Sequence, residues 1–280
     1  MGSQLMRAFA DINPIGWDRE EIDATNHVEV TKKIVAALPD LVINASAYNA
    51  VDACEEDKGY AAARLLNGMA PGYIAAAAKQ IGAAVIHYST DYVFDGQKQD
   101  GYRESDAPKP ISNYGRSKLL GEREVVRQTD RYCIIRTSRL FGPPIPGSNA
   151  KKSFIDIMLD LAKQKDEIDV VDEELSCFTY APDLAGATRQ LAEEFMAQKN
   201  KSENSASGLY HLVNEGPCTW YECARRVFAL AGKHVKVNPV PAGKFPRPAK
   251  RPAFSVLLNT KRPVLRNWDS AAAEYLAGNK

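Results

Sequence analysis

AVIHYSTDYVFDG (84–96) opens as an apolar run of strand length and turns polar and aromatic at Ser89-Thr90-Asp91. Two further runs break the same way. DLVINA (40–45) leads into NASAYNAVD (44–52), and CIIRT (133–137) into RTSRLFG (136–142). Amphipathic stretches of roughly 10 to 15 residues separate such runs, the alternation of βαβ units around a parallel sheet. The patterning predicts helices over 3–10, Glu29–Leu38, Tyr60–Gln80, Asn113–Gln128, Phe154–Lys165, Pro182–Met196 and Thr219–Leu230. It predicts strands at Pro14–Asp18, Asp40–Ala45, Ala84–Ser89, Cys133–Thr137, Ile168–Val171, Leu209–Val213 and Val235–Val240. The expected fold is α/β, a doubly wound parallel sheet. In such sheets ligands sit beyond the carboxyl ends of the strands, which is where the three polar junctions lie.

Composition narrows the function. The 280 residues carry 36 Lys plus Arg against 35 Asp plus Glu, a net charge of +1 that argues against a broad nucleic-acid footprint. Hydrophobic and charged fractions of 45% and 25% exclude a disordered or fibrous chain. No apolar run approaches the roughly 20 residues of a bilayer span, so no membrane partner is expected. MGSQLMRAF at the start has no secretory core, and a cytoplasmic protein is expected. Cys54, Cys133, Cys177, Cys218 and Cys223 form no CxxC pair and read as reduced thiols. The four histidines stand far apart, so a zinc site is not expected.

Tyr114-Gly-Arg-Ser-Lys118 sets a phenol and an ammonium on one helix face. A free tyrosine, with pKa near 10, is a poor proton donor or acceptor at neutral pH, and a neighbouring Lys⁺ favours the phenolate. Ser89-Thr90 adds a hydroxyl pair at a strand end upstream. The alternative is that Ser89 and Thr90 cap a turn while Tyr114 and Lys118 form a solvated face.

The runs VIHYSTDYVFDG (85–96), NYGRSKLLGE (113–122) and IIRTSRLFG (134–142) resemble the dTDP-4-dehydrorhamnose reductase family of extended short-chain dehydrogenases/reductases. So do NASAYNAVDACE (44–55), LLNGMAPGYIA (65–75), FTYAPDLA (178–185), YHLVNEG (210–216), CTWYECA (218–224) and RPAFSVL (251–257). The likeness runs through essentially the whole chain. It implies a Rossmann-like fold and reduction by NADPH, or NADH, of the C4 keto group of a nucleotide-linked 4-keto-6-deoxysugar, most simply dTDP-4-dehydro-L-rhamnose. Tyr114 would protonate the carbonyl oxygen, Lys118 would lower the Tyr114 pKa and hold the nicotinamide ribose, and Thr90 would hold the carbonyl oxygen. Ala45, Ser46, Ala47, Tyr48 and Ser89 would run along the cofactor, and Val51, Asp91 and Tyr92 would face the sugar. Arg139 stands where the family has a tryptophan, and could meet the substrate pyrophosphate or signal a different sugar. Lys151–Ser153 likewise replaces an asparagine-rich approach to the next helix.

The start departs most. Met1-Gly2-Ser3-Gln4-Leu5 enters a helix at once, so Gly2 matches the last glycine of the family's GxxGQLG and the preceding strand has no counterpart. The first strand of the fold is therefore expected to be missing. An internal start, a natural variant with a weakened cofactor site and an engineered scar are the alternatives. A sheet without that strand would expose its neighbours' edges, so instability or poor NADPH binding is expected. Asp18 would accept the ribose 2′-hydroxyl of NADH, while Arg19 could pair with the 2′-phosphate of NADPH; both could equally be surface charges. The slight lean is to NADPH.

Residues 1–142 and about 179–200 are expected to form the dinucleotide-binding domain, and about 143–178 and 201–280 a smaller substrate lobe. The polar stretch 199–208 reads as a surface loop. Lys244–Arg251 is a basic, proline-rich stretch in which Arg251 could meet the substrate diphosphate. Trp220 and Tyr221 read as core more readily than as a stacking platform, and His87 as a packing residue. The rival function is a non-catalytic binding or regulatory subunit of this fold, or an inactive truncated reductase, and a homodimer is the protein partner left open. Thr90, Tyr114 and Lys118 together favour an enzyme.

Overall fold

The computed structural model describes residues 1–143, 151–197 and 207–278. The chain begins with α1 (Gly2–Ala8) and α2 (His27–Ala37). The Asn26 side chain caps α2 by accepting from the amides of Val28 and Glu29, and Val30 and Ile34 form its buried stripe. β1 (Leu41–Asn44) follows. Next, α3 (Asp57–Ala63) runs through a π-helical turn (Arg64–Met69) into α4 (Ala70–Gln80). The buried strand β2 (Ala84–Thr90), helix α5 (Asn113–Gln128) and strand β3 (Tyr132–Thr137) complete the central βαβ run.

Beyond it lie β4 (Leu140–Phe141), α6 (Phe154–Leu161), β5 (Glu167–Val171) and β6 (Thr179–Tyr180). After α7 (Ala181–Ala197) come β7 (Gly208–His211), β8 (Asn214–Glu215) and α8 (Trp220–Leu230). β9 (Lys236–Val240), β10 (Leu265–Asn267) and α9 (Trp268–Ala277) end the described chain. No helix among the described residues is long and apolar enough to cross a membrane.

The main sheet has the order β1–β2–β3–β7, all parallel, with Asn44 opposite His87 and Ser89 opposite Arg136. Helices cover both faces, as a parallel sheet requires. Ala84, Ile86 and Tyr88 of β2 join Leu5, Phe9 and the α7 side chains Leu184, Leu191 and Phe195 on one side. Val85, between them in sequence, joins Ala75, Ala78 and Val125 on the other. Outside the sheet, β4 pairs with β6 and β8 with β10 beside a cluster that includes Phe141, Phe178, Trp268 and Tyr275, and β5 pairs with β9 over a second cluster around Met158 and Phe228.

Two expectations change, and one helix is unforeseen. Pro14–Asp18 is not a strand: among the described residues it joins no ladder, and the Asp18 carbonyl instead accepts the amides of Glu21 and Ile22 in a turn. Proline at 14 also has no N–H to give a ladder. Strand β7 belongs to the main sheet although it falls within 201–280, the span expected for the substrate lobe. Helix α9 had no counterpart in the patterning; Asn267 caps it by accepting from the Asp269 amide. Most of the stretch 199–208 lies outside the described residues.

Candidate active site

β2 ends at Thr90, whose hydroxyl accepts the Tyr92 amide at 3.2 Å and donates to Asp91 Oδ1 at 3.0 Å. Helix α5 enters beside it, capped by Ser112, which accepts the Gly115 amide at 3.1 Å. Gly115 permits the approach: a Cβ there would lie 2.2 Å from the Tyr92 carbonyl oxygen. The Tyr114 ring packs against Cys54, Val51 and Tyr48 and meets Tyr92 edge-on at 5.7 Å. Its hydroxyl donates to Asn49 Oδ1 at 3.3 Å. One turn on, Lys118 is 2% exposed and donates to the Tyr88 carbonyl at 2.6 Å. Thr90, Tyr114 and Lys118 therefore converge, and the solvated-face alternative for the last two is excluded.

The electrostatics depart from expectation. Burial pushes the Tyr114 phenol above its ordinary value, the negative field of Asp91 and the neighbouring Tyr92 push it further, and a hydrogen bond with Thr90 opposes them. Lys118 is not among the largest influences on it, and its ammonium donates to the Tyr88 carbonyl. Burial instead lowers Lys118 itself to about 8, opposed by the Glu122 carboxylate. Tyr114 is thus held as the neutral phenol, the form that gives up a proton.

The residues expected to face the sugar divide. Val51 and Tyr92 stand in the wall around Tyr114. Asp91 points inward, 3% exposed, with its oxygens accepting from Thr90, Ser176 and Ser255, because a buried carboxylate needs donors. Arg139 sits at φ +40°, 3.9 Å over the Trp220 ring, and donates to the carbonyls of Cys218 and Glu174, so its guanidinium serves the protein rather than open space. Arg251 is clamped two-pronged on Asp52 at 2.5 and 2.8 Å. Trp220 donates to Glu174 Oε2 at 2.9 Å, and Arg247 pairs with the same carboxylate. His87 is fully buried, its Nδ1 against the Asn44 amide.

Two asparagines escaped the sequence reading. Asn49 receives the Tyr114 hydroxyl. Asn67, on the π-helical turn and fully buried, accepts the Tyr48 amide at 2.7 Å and donates to the Tyr48 carbonyl and to Ser117 Oγ. A lone asparagine in an alanine-rich helix carries no periodic signal, although the adjacent Asn67-Gly68 was a mark of irregular helix.

A family model described as the RmlD substrate binding domain matches residues 1–279. A dTDP-4-dehydrorhamnose reductase of Burkholderia thailandensis is 36% identical over 268 residues, 92% of this chain and 87% of that protein. The chain belongs to the dTDP-4-dehydrorhamnose reductase family. A solved reductase of this family from Clostridium acetobutylicum superposes with a TM-score of 0.89 at 35% identity, covering 99% of this chain and 95% of that one. Another from Bacillus anthracis, in complex with NADP, gives 0.88 at 29% identity with the same coverage.

The dinucleotide expected of a reductase in this family can be tested against the residues present. A cleft of about 2610 Å³ runs along β1 and is lined by Gly2, Asp18, Arg19, Ala45, Ser46 and Ala47 among others. At Gly2 an added Cβ would meet nothing within 4 Å, which leaves room for a close ligand. Ser46 is folded back, its amide and hydroxyl both on Asn44 Oδ1. The buried Ser89 hydroxyl and His87 Nε2 have no hydrogen-bond partner among the described residues, and neither residue lines this cleft. The cleft and the open space at Gly2 fit the group. Lys151 and Lys152 also line the cleft, while Ser153 caps α6 in a reciprocal pair with Asp156. β1 has no ladder on its outer edge among the described residues.

Proposed function

We propose that the protein reduces the C4 keto group of dTDP-4-dehydro-L-rhamnose to give dTDP-L-rhamnose, with NADPH as reductant. The observation that carries the reading is the buried corner where the neutral Tyr114 phenol lies among Thr90, Asn49 and Tyr92. Bound NADPH supplies the hydride. The chain supplies the proton and the fit: Tyr114 gives its proton to the ketone oxygen, while Thr90 and Asn49 hold the phenol for transfer. Lys118 fixes the cofactor's ribose and keeps a positive charge below the reaction. Val51 and Tyr92 form the wall against which the sugar ring lies.

In this reading residues 1–142, about 179–200 and β7 bind the dinucleotide, and the remainder holds the nucleotide sugar. The reductase works in the cytoplasm, and sedimentation of the purified chain tests for a homodimer. The functional test follows NADPH absorbance with dTDP-4-dehydro-L-rhamnose. Tyr114→Phe, which keeps the ring packing, should lower kcat by about 10² to 10⁴. A chain that binds the sugar and turns nothing over would be a binding subunit instead.

A further inference from the structure

Asp91 carries a carboxylate into the interior at the one turn that also places Thr90. Its Oδ2 accepts from Ser255 Oγ at 2.6 Å and Ser176 Oγ at 3.0 Å; its Oδ1 accepts from Thr90 Oγ1 at 3.0 Å. The two serines come from segments 164 and 85 residues further along the chain, and both are buried. Their main chains are pinned to one another and to the second lobe. The Ser255 amide donates to Leu175, the Leu175 amide to Ala253, and the Cys218 amide to Ser176. Thr90 has a single hydroxyl proton, and it points at Asp91. Its lone pairs are thereby left to the Tyr92 amide and to whichever partner shares the Tyr114 hydroxyl, which at rest donates to Asn49. The rotamer of Thr90 is therefore settled by a carboxylate whose own position is settled by two serines from elsewhere in the chain.

We infer that Ser176 and Ser255 are positioning residues for the reduction: through Asp91 they fix the Thr90 hydroxyl, so the Tyr114 corner is competent only when segments 174–177 and 253–257 are seated on it. The catalytic part of this inference rests on the reductase reading; the orientation of Thr90 does not. Neither serine touches the reacting atoms. The other charged and titratable groups facing Asp91 are Arg139 after β3, Tyr92 on its own turn, Tyr114 on α5 and Cys177 beside Ser176. Two hydroxyl donors favour the carboxylate form, so their loss raises the pH at which Asp91 takes up a proton.

The test compares the wild-type chain with the Ser176→Ala/Ser255→Ala double variant. The expected result is a roughly tenfold fall in kcat with KM within about twofold, and an acid limb of the pH–kcat profile moved up by about one pH unit. Without substrate, NMR should show the Asp91 carboxyl titrating at higher pH and the Thr90 methyl changing from one side-chain rotamer to an average of several. A merely structural role would lower the melting temperature while leaving kcat, the acid limb and the Thr90 rotamer in place, and that outcome overturns the inference. Should the double variant not fold, Ser176→Ala, which removes the longer bond, is read the same way. If the wild-type chain does not turn over the keto-sugar, the reductase reading fails, and a Thr90 rotamer unchanged in the variant sinks the positioning claim independently.

Discussion

Replacing Asn67 by alanine separates the scaffold of the site from its chemistry. Asn67 touches neither ketone nor nicotinamide in the proposed reaction, yet its amide joins the 48–49 loop to α5 through Tyr48 and Ser117. Ser117 in turn donates to the Tyr114 carbonyl at 2.7 Å. Truncation orphans the partly buried Tyr48 amide, costing about 1–3 kcal/mol, and the small void where the carboxamide stood adds about 1 kcal/mol. The total of roughly 2–4 kcal/mol corresponds to a drop of about 3–7 °C in melting temperature for a chain of this size. The rate should suffer separately. Asn49, which receives the Tyr114 hydroxyl, follows Tyr48 directly, so a loosened loop shifts the proton donor; a displacement near 1 Å costs about 10² in rate. Calorimetry paired with steady-state kinetics measures both, and Asn67→Asp, which keeps the acceptor for the Tyr48 amide, should recover part of the rate. A melting temperature within about 1 °C and kcat within twofold of wild type would refute the clamp.

The rate should also fall as pH rises through about 8, because Lys118 loses its proton there while the raised Tyr114 phenol keeps its own. A profile flat to pH 9.5 contradicts this. Glu122→Gln should cost about 3–5 kcal/mol, since it leaves the buried Arg136 guanidinium, now held at 2.8 and 2.7 Å, without its counter-charge. The same substitution removes the carboxylate that supports the Lys118 charge, so the alkaline limb should move to lower pH; an unmoved limb would disconnect the two residues.

Strand and helix positions were legible where one principle acted alone. β2 and β3 are buried on both faces and read as unbroken apolar runs, and α5 spans Asn113–Gln128 as its amphipathic stripe and Ser112 cap required. Pro14–Asp18 misled because local composition resembles a strand whether or not a neighbour offers a ladder. β7 was legible as a strand and illegible as a member of the main sheet, since sequence distance does not say which edge is open. α9 hid because Ala271, Ala272, Tyr275 and Leu276 bury a short stripe against the cluster around Phe141 and Phe178, a packing partner no local window contains.

The candidate site shows the same division at finer grain. Tyr114 and Lys118 could be paired from spacing because a helix repeats every 3.6 residues. The sign of the effect on Tyr114 could not, because it depends on where the Lys118 ammonium points and on a carboxylate, Asp91, that reaches the site from a different element. A general acid in a reduction must hold its proton until the ketone oxygen gains charge. A phenol kept neutral by burial and by Asp91 meets that requirement, whereas one strongly lowered by Lys118 would have lost the proton beforehand. The environment around Tyr114 therefore keeps the proton donor loaded at neutral pH. Asp91→Asn removes the negative field while keeping an oxygen for Thr90; it should ease Tyr114 ionisation and lower the rate of ketone reduction at alkaline pH, with kcat/KM of the reverse oxidation changing in step because a catalyst leaves the equilibrium where it is. A pH profile of the same shape and position as wild type, with only a lower melting temperature, would assign Asp91 to packing alone.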